Sequence, residues 1–251
     1  MGQKYLSTID RACQIIDLVQ QREGANLTEL AGELDIAPST LHGYLSTLKK
    51  HSYLREDDGT YHLGLQFLNK GGCIRASREE YGIASKKVNK MATKTDERVQ
   101  FIVEEGGLGY CLYTTGGDES VDAGTRIGRQ MSLHATASGK AILSELPESR
   151  VRSVIMEEGL PEYTDKTITG EEELFEELAM TRERGYAINR GETYEGIHAI
   201  GAPVQGSKGA VLGAFSILGP RKRLEEDRLD ELSELLLSEI NQMELNINYP
   251  E

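Results

Sequence analysis

The segment 131–143 has the residue types of a small-anion site. It reads Met-Ser-Leu-His-Ala-Thr-Ala-Ser-Gly-Lys-Ala-Ile-Leu, which predicts a strand leading into a helix through small residues. Backbone N–H groups at the start of a helix point outward and favour anions. Small side chains at Ala137 and Gly139 would let a ligand approach that backbone, and Thr136 and Ser138 add hydroxyl groups. The segment therefore predicts a binding site for a small carboxylate.

Two catalytic interpretations of this segment fail on residue spacing. A phosphate-binding P-loop needs glycine four residues before Ser138 and serine or threonine after Gly-Lys, where the chain has His134 and Ala141. A hydrolase of the nucleophile-elbow type needs G-x-S-x-G, which does not occur in the sequence. We therefore predict that the protein is not an enzyme and that His134 bonds to backbone or lines a pocket. The alternative of an enzyme stays open, supported only by a polar pocket that would hold His134, Ser138 and Cys111.

Two later stretches, 189–204 and 212–220, are predicted strands with small side chains. Small residues on adjacent strands leave room above a sheet. This room either lets a helix pack tightly on the sheet or forms the floor of a cavity, and the sequence leaves both options open. The small residues are Ala199, Gly201, Ala202, Gly213, Ala214 and Ser216.

Residues 26–63 predict two short helices, a tight turn between them, and a two-stranded hairpin. Asn26 is a suitable N-cap, and Glu29 three residues later completes a capping box. Pro38 suits the first position of the second helix, where its missing N–H costs nothing. Asp58-Gly59 is a strong turn signal between the strands. This order is typical of a winged helix-turn-helix, which places its second helix in the DNA major groove.

The open side of that second helix, taken as 38–51, carries short hydroxyl side chains that can reach phosphates and base edges. The helix has only two full cations, and the wing tip at 56–58 is acidic. Because phosphate neutralisation supplies most non-specific affinity, we expect an interface with little electrostatic attraction. The candidates for base or phosphate contacts are Ser39, Thr40, His42, Ser46 and Thr47, and those for backbone contacts are Lys49, Lys50, Arg11 and Arg55.

The charge of the chain is unusual for a DNA-binding protein. The 251 residues carry a formal net charge of -13, of which residues 1–70 contribute -2 from seven cations and nine acids, leaving -11 on the rest. Most of the negative charge is therefore kept away from the predicted DNA face. A strongly acidic surface also suits a high-salt cytoplasm, so a halophilic source is one option.

The three cysteines, Cys13, Cys73 and Cys111, lie far apart and lack C-x-x-C spacing. Neither a zinc site nor a redox motif is therefore predicted, and we expect no bound metal or cofactor. The odd count and the lack of a signal peptide favour a reducing cytoplasm. No apolar run approaches the length needed to span a membrane.

The remaining periodicities predict an α+β protein in three parts. We expect a winged helix-turn-helix domain at 1–70, a hinge and linker helix at 71–96, and an effector-binding and oligomerisation domain at 97–251. Gly71-Gly72 is the predicted break before the linker helix, and Thr169 with Glu172 predicts a capping box at the start of a helix that ends near Arg184. The predicted strands of the third part are 99–104, 108–114, 186–189, 197–204 and 211–218, and its other helices are 136–146, 147–158 and a C-terminal one.

Taken together, these segments resemble the IclR family of transcriptional regulators. The resemblance runs over nearly the whole chain, and the order of several separated motifs makes it specific. The residues of these motifs also resemble those of haloarchaeal members, which fits the negative net charge of the chain. The motifs are A-P-S-T-L-H at 37–42, L-H-A-T-A-S-G-K-A-I-L at 133–143, R-E-R-G-Y-A at 182–187, E-G-I-H-A-I-G-A-P-V at 195–204 and G-A-F-S-I-L-G-P at 213–220.

The resemblance implies an N-terminal winged helix-turn-helix, a linker helix, and a C-terminal effector domain of GAF-like α/β fold with an antiparallel sheet. It implies a homodimer or dimer of dimers, and a small metabolite, often a carboxylate or aromatic acid, that alters DNA binding. Glu192 and Glu195 would lie on a loop that covers the effector. The implied effector-binding positions are Ala137, Ser138, Asn189, Ile197, Ala199, Ser216 and Leu218.

Three positions depart from the family pattern. Many members have a polar or acidic residue at the position of Asn189 and cysteine or a similar residue near Ala199, so the identity of the ligand stays open. Many have arginine directly after the histidine of the recognition helix, where this chain has Gly43. That change removes a contact to phosphate or base and weakens any inference about the operator sequence.

The sequence thus predicts a ligand-responsive transcription factor. A symmetric dimer would place two recognition helices on a pseudo-palindromic DNA site, and the linker helix would transmit effector binding to the spacing of those helices. Such coupling requires that the ligand bind two states of the protein unequally. Besides the enzyme, the other alternative is a protein–protein adaptor, since winged helices can bind proteins rather than DNA.

Overall fold

The computed structural model describes residues 6–117, 120, 124–206 and 209–249. The chain forms two compact units, which divide between Ser77 and Arg78. In the described part, no helix is both long and apolar enough to cross a membrane. The N-terminal unit consists of α1 (Ser7–Gln21), β1 (Ala25–Asn26), α2 (Leu27–Leu34), α3 (Pro38–Lys50), β2 (Leu54–Asp57), β3 (Thr60–Leu63) and α4 (Gln66–Arg75).

Local signals set the start of each helix in the N-terminal unit. The predicted capping box is present, because the Asn26 side chain accepts from the Glu29 N–H at 3.0 Å and the Glu29 carboxylate accepts from the Asn26 N–H at 2.8 Å. Pro38 occupies the first turn of α3 as predicted. Asp58 and Gly59 both have positive φ, 46° and 77°, which suits the tight turn between β2 and β3. The strands form an antiparallel sheet in the order β1-β3-β2.

One side of α3 supplies the core of this unit. Leu41, Leu45 and Leu48 pack with Ile15 of α1 and Leu30 of α2 in one buried cluster. These α3 positions recur at steps of four and three residues, so they share a face of the helix. The other side of α3 is consequently left exposed.

The predicted break at Gly71-Gly72 is wrong, because α4 runs through both residues. Glycine within a helix costs about 1 kcal/mol relative to alanine, which weakens a helix without ending it. The chain instead leaves the helical conformation at 76–78 and re-enters it in α5 (Glu79–Thr95).

The C-terminal unit is built on one six-stranded antiparallel sheet. The strand order is β6-β5-β4-β9-β8-β7, which confirms the predicted α+β class with an antiparallel sheet. After α5 its elements are β4 (Arg98–Glu105), β5 (Leu108–Thr115), β6 (Gln130–Ser132), α6 (Ala137–Glu145), α7 (Glu148–Glu158), α8 (Glu171–Arg184), β7 (Ala187–Arg190), β8 (Ile197–Gln205), β9 (Val211–Pro220) and α9 (Glu226–Asn248).

Helices cover both faces of this sheet. Phe101 and Phe215 pack with α5 and α9 in one buried cluster, while Ile102 and Ala214 pack with α6, α7 and α8 in another. Alternate residues of a strand point to opposite faces, which is why neighbours in β4 and β9 belong to different clusters. Residues of β4, β8 and β9 on the α6 side are therefore available to form a site there.

The capping box predicted from Thr169 and Glu172 does not form. Helix α8 begins at Glu171, so its N-cap is Gly170, which has no side chain to accept a hydrogen bond. The three acidic residues of the first turn, 171–173, stand where the helix dipole favours negative charge.

Helices α5 and α9 are joined by one buried carboxylate. Glu239 is 2 % exposed and pairs with the ammonium groups of Lys87, Lys90 and Lys94 at 2.7, 2.8 and 2.9 Å. Burial works against ionisation, but the hydrogen bonds from the three lysines outweigh it and lower the pKa of Glu239 to about 2 from the ordinary 4.5.

We expect Glu239→Gln to destabilise the protein by about 2–3 kcal/mol at neutral pH, because it breaks a buried ion cluster in which Lys90 and Lys94 are partly solvated. The pKa of this carboxylate is depressed in the folded state, so its contribution is present above pH 4.5 and lost as the pH falls from 4.5 to about 2. Urea unfolding of the wild type and the variant from pH 7 to 3 measures this. A difference in unfolding free energy that stays constant over that range would contradict the assignment.

Candidate functional site

The exposed side of α3 carries most of the residues predicted to contact DNA. Its hydroxyl, imidazole and ammonium groups all lie on the surface of the N-terminal unit, and Arg55 is exposed on β2. The exposed α3 candidates are Ser39, Thr40, His42, Ser46, Thr47, Lys49 and Lys50.

Intramolecular contacts already engage several of these groups. The Thr47 hydroxyl donates to the Gly43 carbonyl at 2.8 Å. Lys49 forms an ion pair with Glu56 of the wing, which raises the pKa of Lys49. Arg55 lies 3.8 Å from Asp57. Wing carboxylates therefore compete with DNA phosphates for two of the predicted cations.

Arg11, another predicted DNA contact, is half-buried and also bonds within the N-terminal unit. Its guanidinium donates to the Leu34 carbonyl at 3.2 Å and to the Gln14 side chain at 3.0 Å. The bond to the Leu34 carbonyl joins α1 to the C-terminal end of α2. Its contact with DNA backbone stays a prediction.

The C-terminal unit contains a cavity of about 80 Å³ at the start of α6. Strands β4, β8 and β9 supply its floor, and the loop 191–196 between β7 and β8 supplies part of its wall. The structure brings all seven predicted effector positions to its lining. They are Ala137, Ser138, Asn189, Ile197, Ala199, Ser216 and Leu218.

Close packing of α6 on the sheet depends on Gly201. A Cβ at that position would stand 2.6 Å from the Ala137 carbonyl carbon and 2.7 Å from the Ser138 nitrogen. The Thr136 side chain caps α6 by accepting from the Gly139 N–H at 3.1 Å. The first turn of a helix has N–H groups without intrahelical acceptors, so the cavity begins at a place that favours an anion.

The comparisons with known proteins agree with this architecture. The IclR helix-turn-helix domain matches residues 8–58, and the domain described as "Bacterial transcriptional regulator IclR C-terminal" matches residues 80–244, more than half of the chain. This chain belongs to the IclR family. A probable HTH-type transcriptional regulator, ArcR of Halobacterium salinarum, is 33% identical over 97% of this chain and 95% of its own length. The HTH-type transcriptional regulator XynR of Escherichia coli is 27% identical over 92% and 93%.

Solved structures share the whole fold of this IclR-family chain. The IclR protein of Thermotoga maritima is 26% identical with a TM-score of 0.80, covering 98% of this chain and 100% of that one. An IclR homolog of Microbacterium hydrocarbonoxydans, complexed with 4-hydroxybenzoate, is 21% identical with a TM-score of 0.81, covering 96% and 99%. The chain is thus a transcriptional regulator with a DNA-binding helix-turn-helix and an effector-binding C-terminal domain, and not an enzyme.

Sequence reasoning missed six residues of the cavity lining in this IclR-family regulator. Arg129 donates to the Tyr194 hydroxyl at 2.6 Å and thereby brings a cation to the cavity. Both lie in loops whose sequence carries no motif, so no local signal marked them. One local signal marked Gln100, since it is a polar residue between the apolar residues Val99 and Phe101 of β4. The missed residues are Gln100, Thr125, Arg129, Met131, Thr193 and Tyr194.

Asn189 lines the cavity, but its side-chain amide is hydrogen-bonded to the protein backbone. Its amide nitrogen donates to the Ala135 carbonyl at 2.6 Å, and its amide oxygen accepts from the N–H groups of Gly191 and Glu192 at 2.9 Å each. The Thr193 hydroxyl donates to the same Ala135 carbonyl at 2.6 Å. Asn189 therefore fixes the loop 191–196 against the entry to α6.

Glu192 and Glu195 belong to that loop, as predicted, but the loop residues that line the cavity are Thr193 and Tyr194. Glu192 turns instead to Lys140, whose ammonium lies 2.7 Å from its carboxylate and 2.7 Å from the Ile188 carbonyl. Burial raises the pKa of Glu192, and Lys140 opposes that shift. The pair ties the loop to α6 from outside the cavity.

The residues of the alternative enzymatic pocket do not converge. Ser138 lines the cavity, whereas the described lining contains neither His134 nor Cys111. His134 bonds to the Pro161 carbonyl at 3.1 Å, and burial lowers the pKa of its imidazole. The buried Cys111 thiol donates to the Tyr113 carbonyl at 3.4 Å. Among the described residues, no cluster of histidine, cysteine and acidic side chains could hold a metal ion.

Proposed function

We propose that this regulator binds a pseudo-palindromic operator as a homodimer or dimer of dimers, with α3 in the major groove. A small carboxylate in the cavity at the start of α6 changes its affinity for the operator. The cavity carries this proposal, since it places the first turn of a helix and a cation at one small pocket in a regulator of this family. Cysteine usage and the DNA target favour action in the cytoplasm.

The lining supports an acid as the effector. The N–H groups that begin α6 and the Arg129 guanidinium both favour negative charge. The related protein from Microbacterium hydrocarbonoxydans was solved with 4-hydroxybenzoate, which is also an acid. At about 80 Å³ the cavity is small beside the roughly 300–1,000 Å³ of sites for drug-sized ligands, which favours a short acid over an aromatic one.

The recognition surface supports sequence-selective contacts with weak electrostatic attraction. Ser39, His42 and Ser46 present groups that can reach base edges. Because Glu56 neutralises Lys49, few phosphate contacts are left to supply non-specific affinity. We therefore propose that selectivity comes from α3, while the acidic wing keeps binding to random DNA weak.

Fluorescence anisotropy tests DNA recognition directly. The probe is DNA from immediately upstream of the gene that encodes this protein, with a random duplex of equal length as control, and salt is titrated. Selective binding that survives high salt supports the proposal. Equal or absent binding to both duplexes would contradict local self-regulation and favour the adaptor.

We expect Glu56→Gln to strengthen binding to any duplex, because it frees Lys49 for a phosphate. The slope of log affinity against log salt should steepen by about one per protomer. Lys50→Ala is the matched variant with the opposite expected effect. None of the ion pairs among the described residues involves Lys50, so its ammonium can already meet a phosphate in the wild type. It should make the slope shallower by about the same amount. Unchanged slopes for both variants would show that neither lysine meets DNA.

A further inference from the structure

We infer that Gln100 forms a second polar pole of the effector cavity and holds an oxygen of the ligand remote from its carboxylate, with Thr125 as a further unpaired polar group of the same lining. The effector would then be a short aliphatic acid with a second oxygen function, a hydroxy acid or a diacid. This inference rests on the proposed binding of an acid at the start of α6.

Gln100 is a buried donor without a partner. It is 4 % exposed on β4, it lines the cavity, and its amide nitrogen has no hydrogen-bond partner among the described residues. Its neighbours Val99 and Phe101 point to the opposite face of the sheet, into the cluster with α5 and α9. Buried amide groups in folded proteins are nearly always hydrogen-bonded, so an unpaired one that lines a cavity is a donor available to a ligand oxygen.

Thr125 is a second residue with an unpaired buried polar atom, and it comes from a different part of the chain. Its hydroxyl is buried without a partner in the described structure, and the residue lines the same cavity. A glutamine amide N–H only donates, whereas a threonine hydroxyl can donate or accept. A hydroxyl, carbonyl or carboxylate oxygen of the ligand can therefore satisfy both.

The strand register separates Gln100 from the start of α6. Gln100 pairs with Ser216 of β9, and Ser216 pairs with Gly201 of β8, the residue against which α6 begins. Neighbouring strands are about 4.8 Å apart, so Gln100 lies two strands, roughly 10 Å, from the backbone beneath the helix entry. The glutamine side chain covers part of that distance, and Ser216 lies between the two poles. A short ligand with oxygens at both ends fits this span.

Calorimetric titration of the full-length protein with matched acids tests the inference. The probes are unbranched acids of two to four carbons, the same acids with a terminal hydroxyl, and the corresponding diacids. We expect an oxygenated acid to bind at least about tenfold more tightly than the plain acid of equal length, since only it pairs the two buried groups. Gln100→Met and Thr125→Val keep volume while removing the polar atoms, and each should shrink that ratio toward one.

Gln205→Met is the control, because it makes the same substitution at an exposed position of β8 outside the cavity lining. The preference for oxygenated acids should persist in this variant. Plain and oxygenated acids that bind equally to the wild type, or a preference that survives in Gln100→Met, would overturn the second pole and leave the proposed acid site intact. Binding by none of the acids would overturn both, while DNA recognition is judged separately by anisotropy.

Discussion

Replacing Gly201 with alanine is expected to abolish acid binding and to destabilise the C-terminal unit by about 2–3 kcal/mol, the range of a strongly overpacked core. The new methyl carbon would stand within 2.8 Å of three backbone atoms of Ala137 and Ser138. Backbone atoms cannot swing aside as a flexible side chain can, so the entry to α6 must shift. Because those same backbone atoms border the cavity, the shift alters its shape. Calorimetry and urea unfolding of the full-length protein measure the two effects.

Gly82→Ala is the matched control for this substitution. Gly82 is an exposed position inside α5, with nothing within 4 Å of an added Cβ. Alanine there should stabilise the helix by about 0.5–1 kcal/mol and leave acid binding unchanged. If Gly201→Ala bound acids as well as the wild type, the entry to α6 would not be part of the effector site.

Lys140→Met is expected to cost about 3 kcal/mol and to loosen the loop 191–196. The Lys140 ammonium is fully enclosed, with Glu192 at 2.7 Å and Glu177 at 3.3 Å. Removing it leaves the buried Glu192 carboxylate without its cation, and such uncompensated charges are strongly destabilising. Since Thr193 and Tyr194 of the loop line the cavity, acid affinity should fall as well. Urea unfolding and calorimetric titration are the measurements.

The pH dependence of this variant has a defined sign. Burial already raises the pKa of Glu192, and loss of Lys140 removes the charge that opposed the rise. A carboxyl whose pKa is raised by folding binds its proton more tightly in the folded state, so stability increases as the pH falls through that pKa. The deficit of Lys140→Met should therefore be smaller at pH 5 than at pH 8.

Two further variants separate charge from packing. Adding Glu192→Gln to Lys140→Met removes the orphaned charge and should recover much of the lost stability. Lys166→Met makes the same exchange at an exposed position and should change stability by less than about 0.5 kcal/mol. If the double variant were no more stable than Lys140→Met, the cost would lie in packing rather than in the uncompensated carboxylate.

Features that depend on a few consecutive residues were predictable from the sequence. The capping box of Asn26 and Glu29, the position of Pro38 and the turn at Asp58-Gly59 are local, and the structure confirms all three. The capping box predicted from Thr169 does not form, because α8 begins one residue later than predicted and Gly170 is therefore its N-cap. The break at Gly71-Gly72 failed because glycine weakens a helix without requiring it to end.

Features that depend on distant pairings were not predictable without the fold. The motif that contains Lys140 has no signal for its partner Glu192, 52 residues away. Gln100 becomes part of the cavity only through the register of β4 with β9. The seven effector positions came from family resemblance rather than from spacing, and their place around one cavity leaves their role in binding a prediction.

Occupation of the cavity by a small acid is expected to change operator affinity, and one titration measures this directly. Anisotropy of an operator duplex is followed while the tightest-binding short acid is added to the wild type and to Gly201→Ala. Apparent DNA affinity of the wild type should change by about fivefold or more, the usual scale of allosteric coupling, and that of Gly201→Ala should not respond. An acid that binds the wild type without changing its DNA affinity would contradict the coupling, because a ligand with equal affinity for two states does not shift the equilibrium between them.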